Sequence, residues 1–131
     1  MQPQIEALIQ QLTLEEKISL LAGADNWHTR PVERLGIPSL KVTDGPNGAR
    51  GAWGGLATPS ACTPVGTALA ATWNTGLVEQ VGALLGDETR AKGADMLLAP
   101  TVNLHRTPLA GRNFECFSED PFLTAEMAIA Y

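Results

Sequence analysis

The sequence is poor in positive charge: nine lysines and arginines face fourteen aspartates and glutamates, for a net charge of −5, and the basic residues form no run. A nucleic-acid partner is therefore not expected, because affinity for phosphate backbones rests on clustered cations. No apolar stretch approaches the ~20 residues that cross a bilayer as a helix, so no membrane association is expected either. Cysteine is scarce. Cys62 and Cys116 form no C-x-x-C pair and are too few for a disulfide framework. His105 has no second histidine or cysteine at ligand spacing, so neither a metal nor another cofactor is expected. Gly-x-Gly-x-x-Gly, a phosphate-binding loop and Gly-x-Ser-x-Gly are all missing. The start, Met1-Gln2-Pro3-Gln4, has no basic leader, which predicts a cytoplasmic location. At 18% charged and 44% apolar residues the chain is no disordered polyelectrolyte. A chain of 131 residues fits one ordinary domain that buries roughly two-thirds of its unfolded surface.

What is present reads as alternating helices and strands. Ile5, Leu8, Ile9 and Leu12 recur at helical spacing, and Thr13 with Glu16 forms a capping box for a second helix. Leu14, Ile18 and Leu21 are its expected buried stripe, with Gly23 as the left-handed stop. After the turn Arg34 to Pro38, Leu40 to Thr43 is β-prone. Five of the eleven residues from Gly45 to Gly55 are glycine, which predicts a loop. Ala68 to Ala71 is a short apolar approach to a helix N-capped by Asn74. Leu77, Val81, Leu84 and Leu85 are its expected buried face, Arg90 and Lys92 lie in its last turn, and Gly93 is its stop. Met96 to Ala99 reads as a fully buried strand ended by Pro100, followed by a long loop from Thr101 to Pro121 and a helix from Phe122. The apolar tail Ala128 to Tyr131 carries no cap, as a helix cut in mid-course would look.

Two successive strand–loop–helix units predict parallel strands with right-handed crossovers and a site at their C-terminal ends. Two strands make no stable sheet, and a (β/α)8 barrel needs ~250 residues. The expected fold class is therefore α/β: the N-terminal portion of a TIM-like (β/α)8 barrel, incomplete by itself, with a doubly wound sheet as the other candidate. Residues 1–131 form one segment, a helical lead-in over 1–38 and the first β/α units over 39–131.

The chemistry concentrates in the two loops. Asp44 closes the first strand, and the glycines after it let a ligand approach the backbone; its carboxylate suits paired hydroxyls or a cation, or simply starts a turn. Arg50, six residues on, can pair with Asp44 or with ligand, or simply be a solvated loop arginine. In the second loop His105, Arg106, Arg112 and Glu115 bring charged and hydrogen-bonding groups to the same rim. Glu115 suits a general acid or base, or ion pairing with Arg112. Taken alone, these residues describe a site for a neutral polyol or an anionic ligand.

The motifs Leu12-Thr13-Leu14-Glu15-Glu16-Lys17-Ile18, Val42-Thr43-Asp44-Gly45-Pro46-Asn47-Gly48, Ala70-Ala71-Thr72-Trp73-Asn74, Gly111-Arg112-Asn113-Phe114-Glu115 and Ser118-Glu119-Asp120-Pro121 occur in that order. Together they resemble the N-terminal part of a glycoside hydrolase family 3 β-glucosidase, over nearly the whole chain. The resemblance implies a (β/α)8-like barrel and retaining hydrolysis of terminal, non-reducing β-D-glucosyl residues by a nucleophile and an acid/base. In that family the nucleophile is an Asp in a Ser-Asp-Trp-like segment and the acid/base is a Glu beyond the barrel. None of Trp27, Trp53 and Trp73 follows an Asp, and the family's Lys-His pair is missing, so the resemblance assigns no catalytic residue here. It does imply substrate binding. Asp44 matches the carboxylate that grips glucose hydroxyls, Arg112 matches an arginine that reaches the same ring, and Arg50 matches a more variable arginine nearby. Glu115 is then expected to orient Arg112, while His105 and Arg106 serve loop structure, and Trp27 and His28 either line an entrance or pack. The implied partners are a β-glucoside or oligosaccharide and the remaining segments of the enzyme that complete the barrel. The alternatives are a non-catalytic carbohydrate-binding or structural fragment and, more distantly, a barrel enzyme whose arginines hold an anionic substrate.

Overall fold

Thr13 starts a helix as its side chain predicts. In the computed structural model, which describes residues 3–51 and 59–131, α1 (Pro3–Gln11) is followed directly by α2 (Leu14–Leu20). Thr13 Oγ1 accepts the Glu16 N–H at 3.2 Å and Glu16 Oε2 accepts the Thr13 N–H at 2.9 Å, which completes the capping box. Met1, Gln2 and residues 52–58 lie outside the described residues, and with them Trp53 and the last part of the predicted glycine-rich loop. The chain divides into two compact units, Met1–Val42 and Thr43–Tyr131.

In the first unit Arg34 clasps the junction of α1 and α2. Its Nε donates to Glu16 Oε1 at 2.7 Å and its Nη2 to the Gln11 carbonyl at 2.8 Å, with a further bond to Glu16 Oε2. The hydrogen bond from Arg34 takes the Glu16 carboxyl down to about 2. Two expectations fail here. Leu14 and Leu21 are 68% and 90% exposed and Ile18 is exposed too, so the stripe on α2 is not buried. Periodicity marks the apolar face of a helix, but a neighbour must cover it, and none does among the described residues. Gly23 is not the helix stop: Leu21 caps α2 in a right-handed conformation. Gly23 bridges to Thr29, and a Cβ on it would stand 2.4 Å from the Asp25 carbonyl oxygen.

The second unit is built on β1 (Val42–Asp44) and β2 (Met96–Leu98), paired in a two-stranded sheet, with α3 (Gly66–Ala70) and α4 (Thr75–Ala91) in the connection and α5 (Pro121–Ala130) after it. Asn74 Oδ1 accepts the Leu77 N–H at 3.1 Å, the predicted N-cap of α4, and Gly93 takes a φ of 64° just past its end. The expected face of α4 is buried in part: Leu85 is buried and Val81 partly so, whereas Leu77 and Leu84 are exposed. Val78 and Thr89 are buried with Leu85. The core lies where Val78 meets Leu69 and Ala70 of α3, Met127 of α5 and Phe117. Gly82 permits the close approach of α4 to the chain end, because a Cβ there would stand 2.2 Å from the Tyr131 carbonyl oxygen. Asp120 caps α5 through the N–H groups of Phe122 and Leu123. Strand β2 is not fully buried: Met96 and Leu98 are 50% and 48% exposed. A strand is buried on both faces only when helices cover both, and these two side chains lack a cover among the described residues. No described helix is long and apolar enough to cross a membrane.

Candidate functional site

Asp44 is the last residue of β1, and the chain turns back on itself immediately after it. Gly45 has a φ of 133°, and a Cβ on it would lie 1.9 Å from the Gly48 carbonyl oxygen, so only glycine fits. The Arg50 N–H closes the loop on the Asp44 carbonyl at 2.9 Å, and the Gly51 N–H reaches Oγ1 of buried Thr43 at 2.8 Å. This fold-back carries Arg50 over its acidic neighbour, with Nε 3.4 Å from Asp44 Oδ2.

The second loop places its groups by a different device. Arg112 forks onto Glu115, with Nε to Oε1 at 2.7 Å and Nη2 to Oε2 at 2.6 Å, and Thr101 Oγ1 donates to Glu115 Oε2 at 3.2 Å. The turn beneath them is pinned to α3. The Thr67 hydroxyl lies 2.9 Å from the Cys116 carbonyl, and a Cβ on Gly66 would stand 2.2 Å from the Glu115 carbonyl oxygen. The hydrogen bond from Arg112 holds the Glu115 carboxyl below the usual glutamate range against the upward push of burial. Glu115 is thus a carboxylate committed to its partner rather than a proton donor at neutral pH. In return the Glu115 bond and charge raise Arg112, with a smaller contribution from the charge of Asp44.

Asp44, Arg50, Arg112 and Glu115 converge on one cleft of about 430 Å³. Asn47 and Thr101 add neutral polar groups to its lining, and Leu98 and Phe114 add apolar walls. That size lies within the roughly 300–1,000 Å³ of small-molecule sites, and the lining joins opposite charges, hydroxyl and amide groups to apolar surface. Such a set suits a small polyol: the carboxylate accepts from hydroxyls, the guanidinium donates to them, and an aromatic edge meets C–H surface.

His105 and Arg106 stand apart from this cleft. The His105 Nε2–H donates to the Cys116 carbonyl at 3.1 Å and so braces the second loop, while Arg106 lines a separate depression beside Glu119. Trp27 and His28 belong to the first unit, where Asp25 Oδ1 accepts both of their N–H groups at 2.7 and 2.9 Å. No cluster of three or more potential metal ligands occurs among the described residues. Loop position and motifs pointed to Asp44 and the arginines but did not single out Thr101, Leu98 or Phe114 as lining. Thr101 and Leu98 had one available signal, their place at the C-terminal end of β2, where α/β folds put their sites.

Residues 2–131 match the glycosyl hydrolase family 3 N-terminal domain. This chain belongs to that family. It is 58% identical over 130 residues to a β-glucosidase of Rhizobium radiobacter, covering 97% of this chain and 16% of that protein. The β-glucosidase of Kluyveromyces marxianus, solved in complex with glucose, superposes with a TM-score of 0.90 at 48% identity over 96% of this chain and 15% of its own. β-Glucosidase 3B of Thermotoga neapolitana, also solved with glucose, gives a TM-score of 0.84 at 40% identity, covering 97% of this chain and 20% of its own. The family 3 chain thus spans about one sixth of the curated relative's length. These matches decide between the two fold readings: the α/β units are the N-terminal part of a TIM barrel, not of a doubly wound sheet.

Proposed function

We propose that this chain supplies the glucose-gripping wall of the −1 subsite in a retaining β-glucosidase. The reading rests on one observation, the convergence of Asp44, Arg50 and Arg112 on a single cleft at the ends of β1 and β2. The relatives named β-glucosidases, two of them solved with glucose, support the choice of sugar over an anionic ligand. In retaining hydrolysis one carboxylate attacks the anomeric carbon. A second carboxyl group protonates the departing oxygen and then takes a proton from the water that releases the sugar. The nucleophile and the acid/base come from segments outside this sequence, so the residues here bind and orient. Asp44 accepts hydrogen bonds from hydroxyls of the terminal glucose, Arg112 donates to the same ring, and Arg50 completes the fork. Each charged hydrogen bond contributes about 1.5–3 kcal/mol. Bonds that shorten as the ring flattens toward an oxocarbenium ion lower the barrier rather than only KM.

The test is made on the full-length protein. It should hydrolyse an aryl β-glucoside with retention at the anomeric carbon, and free glucose should compete. Failure to turn over neutral glucosides, with competition by phosphorylated sugars instead, would sink this reading in favour of an anionic substrate. Sugar binding without turnover would favour a non-catalytic carbohydrate-binding protein.

A further inference from the structure

Helix α4 reaches the first site loop through one acidic side chain that the cleft itself does not use. Glu88 Oε2 accepts the Ala49 N–H at 2.8 Å, and Glu88 Oε1 accepts the Ala61 N–H at 2.7 Å. One carboxylate thereby joins two loop segments, each oxygen taking one backbone donor. One turn further on, Lys92 Nζ lies 3.5 Å from Glu88 Oε1, donates to Ser60 Oγ at 2.6 Å, and also donates to the Ala49 carbonyl. Ser60 Oγ donates to that same carbonyl at 2.6 Å. Both polar groups of fully buried Ala49 are therefore held by side chains, its N–H by Glu88 and its carbonyl by Lys92 and Ser60. The next residue is Arg50. Gly48, just before, approaches so closely that a Cβ on it would lie 1.9 Å from the Ala61 carbonyl oxygen.

We propose that Glu88 is a positioning residue for the sugar site: by fixing the Ala49 and Ala61 amides to α4, it sets where Arg50 stands over Asp44. The chemistry requires a carboxylate. Glutamine presents one acceptor and one donor, so one of the two N–H groups would face an NH2 group and lose its partner. Aspartate keeps the charge beside Lys92 but draws the oxygens back by one methylene and cannot reach both amides from the same backbone. Burial alone would push the Glu88 carboxyl up, but the N–H groups of Ala61 and Ala49 and the Lys92 ammonium outweigh it, and the net shift is down. The group is therefore a carboxylate at neutral pH, as the two N–H bonds need. The assignment to the sugar site rests on the function proposed above; the hold on the loop does not.

Two readouts keep these apart. In the full-length enzyme Glu88→Gln should lower kcat/KM for an aryl β-glucoside about fivefold, because a displaced binding group costs rate without touching the chemistry. In an Arg50→Ala background the same substitution should cost less than about twofold, since the group it positions is gone. Unchanged kcat/KM in the single variant, or an equal loss in both backgrounds, would overturn the positioning role. Amide hydrogen exchange at Ala49 and Ala61 should accelerate in Glu88→Gln while exchange in α5 stays as in the parent; equal rates at the two loop amides would also overturn it. The exchange arm needs no substrate, so it holds its meaning even if the parent enzyme fails to cleave glucosides and the proposed function falls. Should Glu88→Gln fail to fold, Glu88→Asp takes its place in the same cycle and the same exchange measurement.

Discussion

In the loop after β1, acid and base meet at a single point, Asp44 Oδ2 and Arg50 Nε 3.4 Å apart, and the backbone is held from outside by Glu88. In the loop after β2, Arg112 and Glu115 form a two-pronged pair at 2.6–2.7 Å, and the acid is the less exposed partner, its side chain 15% accessible. The difference fits the proposed roles. An acid with two short bonds from one guanidinium has little acceptor capacity left, so Glu115 serves Arg112. An acid with one long, single-point contact keeps capacity for incoming hydroxyls, as the ligand-binding role proposed for Asp44 requires. Two loops of different composition, the first rich in glycine, thus bring a carboxylate and a guanidinium to one cleft.

The contrast breaks most easily at Asp44. On the proposed function, Asp44→Ala in the full-length protein would remove the principal acceptor, two charged hydrogen bonds at about 1.5–3 kcal/mol each, and should lower kcat/KM by about 10²–10⁴-fold. Circular dichroism and the unfolding midpoint should stay close to those of the parent, because the Arg50 N–H bonds the Asp44 backbone carbonyl and not its side chain. Activity within a few fold of the parent would remove Asp44 from the binding set.

Arg112→Lys comes next. A lysine keeps the charge but cannot fork onto Glu115, so the donor loses its fixed direction. A loss of about 10–100-fold in kcat/KM is expected, measured on the same glucoside. If Arg112→Lys costs as little as a solvated surface exchange, the two-pronged pair does not orient a ligand donor and the contrast between the loops loses its meaning.

How much of this was legible in the sequence depends on the range of the interaction. Thr13 with Glu16, Asn74 and Gly93 act within one turn of helix, and each stands in the predicted role. The meeting of Asp44 and Arg112 at one cleft was legible because they sit in dense motif blocks at strand and loop ends. Burial was legible only in part: Leu85 is buried as expected, and Leu77 and Leu84 are not. Leu84 and Val78 differ in sequence only by their angle around α4, and which one is covered depends on α3 and α5. Glu88 was least legible of all. With Lys92 four residues on, it reads as an ordinary solvent-facing helix pair. Only the folded chain shows its carboxylate turned toward amides 27 and 39 residues away in sequence.

Arg50 tests the looser half of the comparison. Its side chain is half exposed and its contact with Asp44 is long. Arg50→Ala should therefore cost about tenfold in kcat/KM, less than the change at Asp44, with the effect weakening as salt is raised. A loss as large as that of Asp44→Ala would mean that the first loop also works as a tightly matched pair.

The smallest expected effect is on stability and belongs to Glu115. Because Arg112 holds its carboxyl below the usual glutamate range, the folded state binds the proton less readily than the unfolded chain. The stabilisation is then complete above the ordinary glutamate pKa of about 4.3 and is lost as pH falls through the lower, folded value. Arg112 is 77% exposed, so solvent screening keeps the contribution of the pair small. Urea midpoints of the full-length enzyme and its Glu115→Gln variant should differ at pH 6 and converge toward pH 3. The variant should meanwhile lose sugar affinity at neutral pH, because a glutamine accepts only one prong of the guanidinium. A midpoint difference that stays constant from pH 6 to pH 3 would show that the charge of Glu115 adds nothing beyond its shape, and the second loop would then be held by Thr67, His105 and the packing of Gly66.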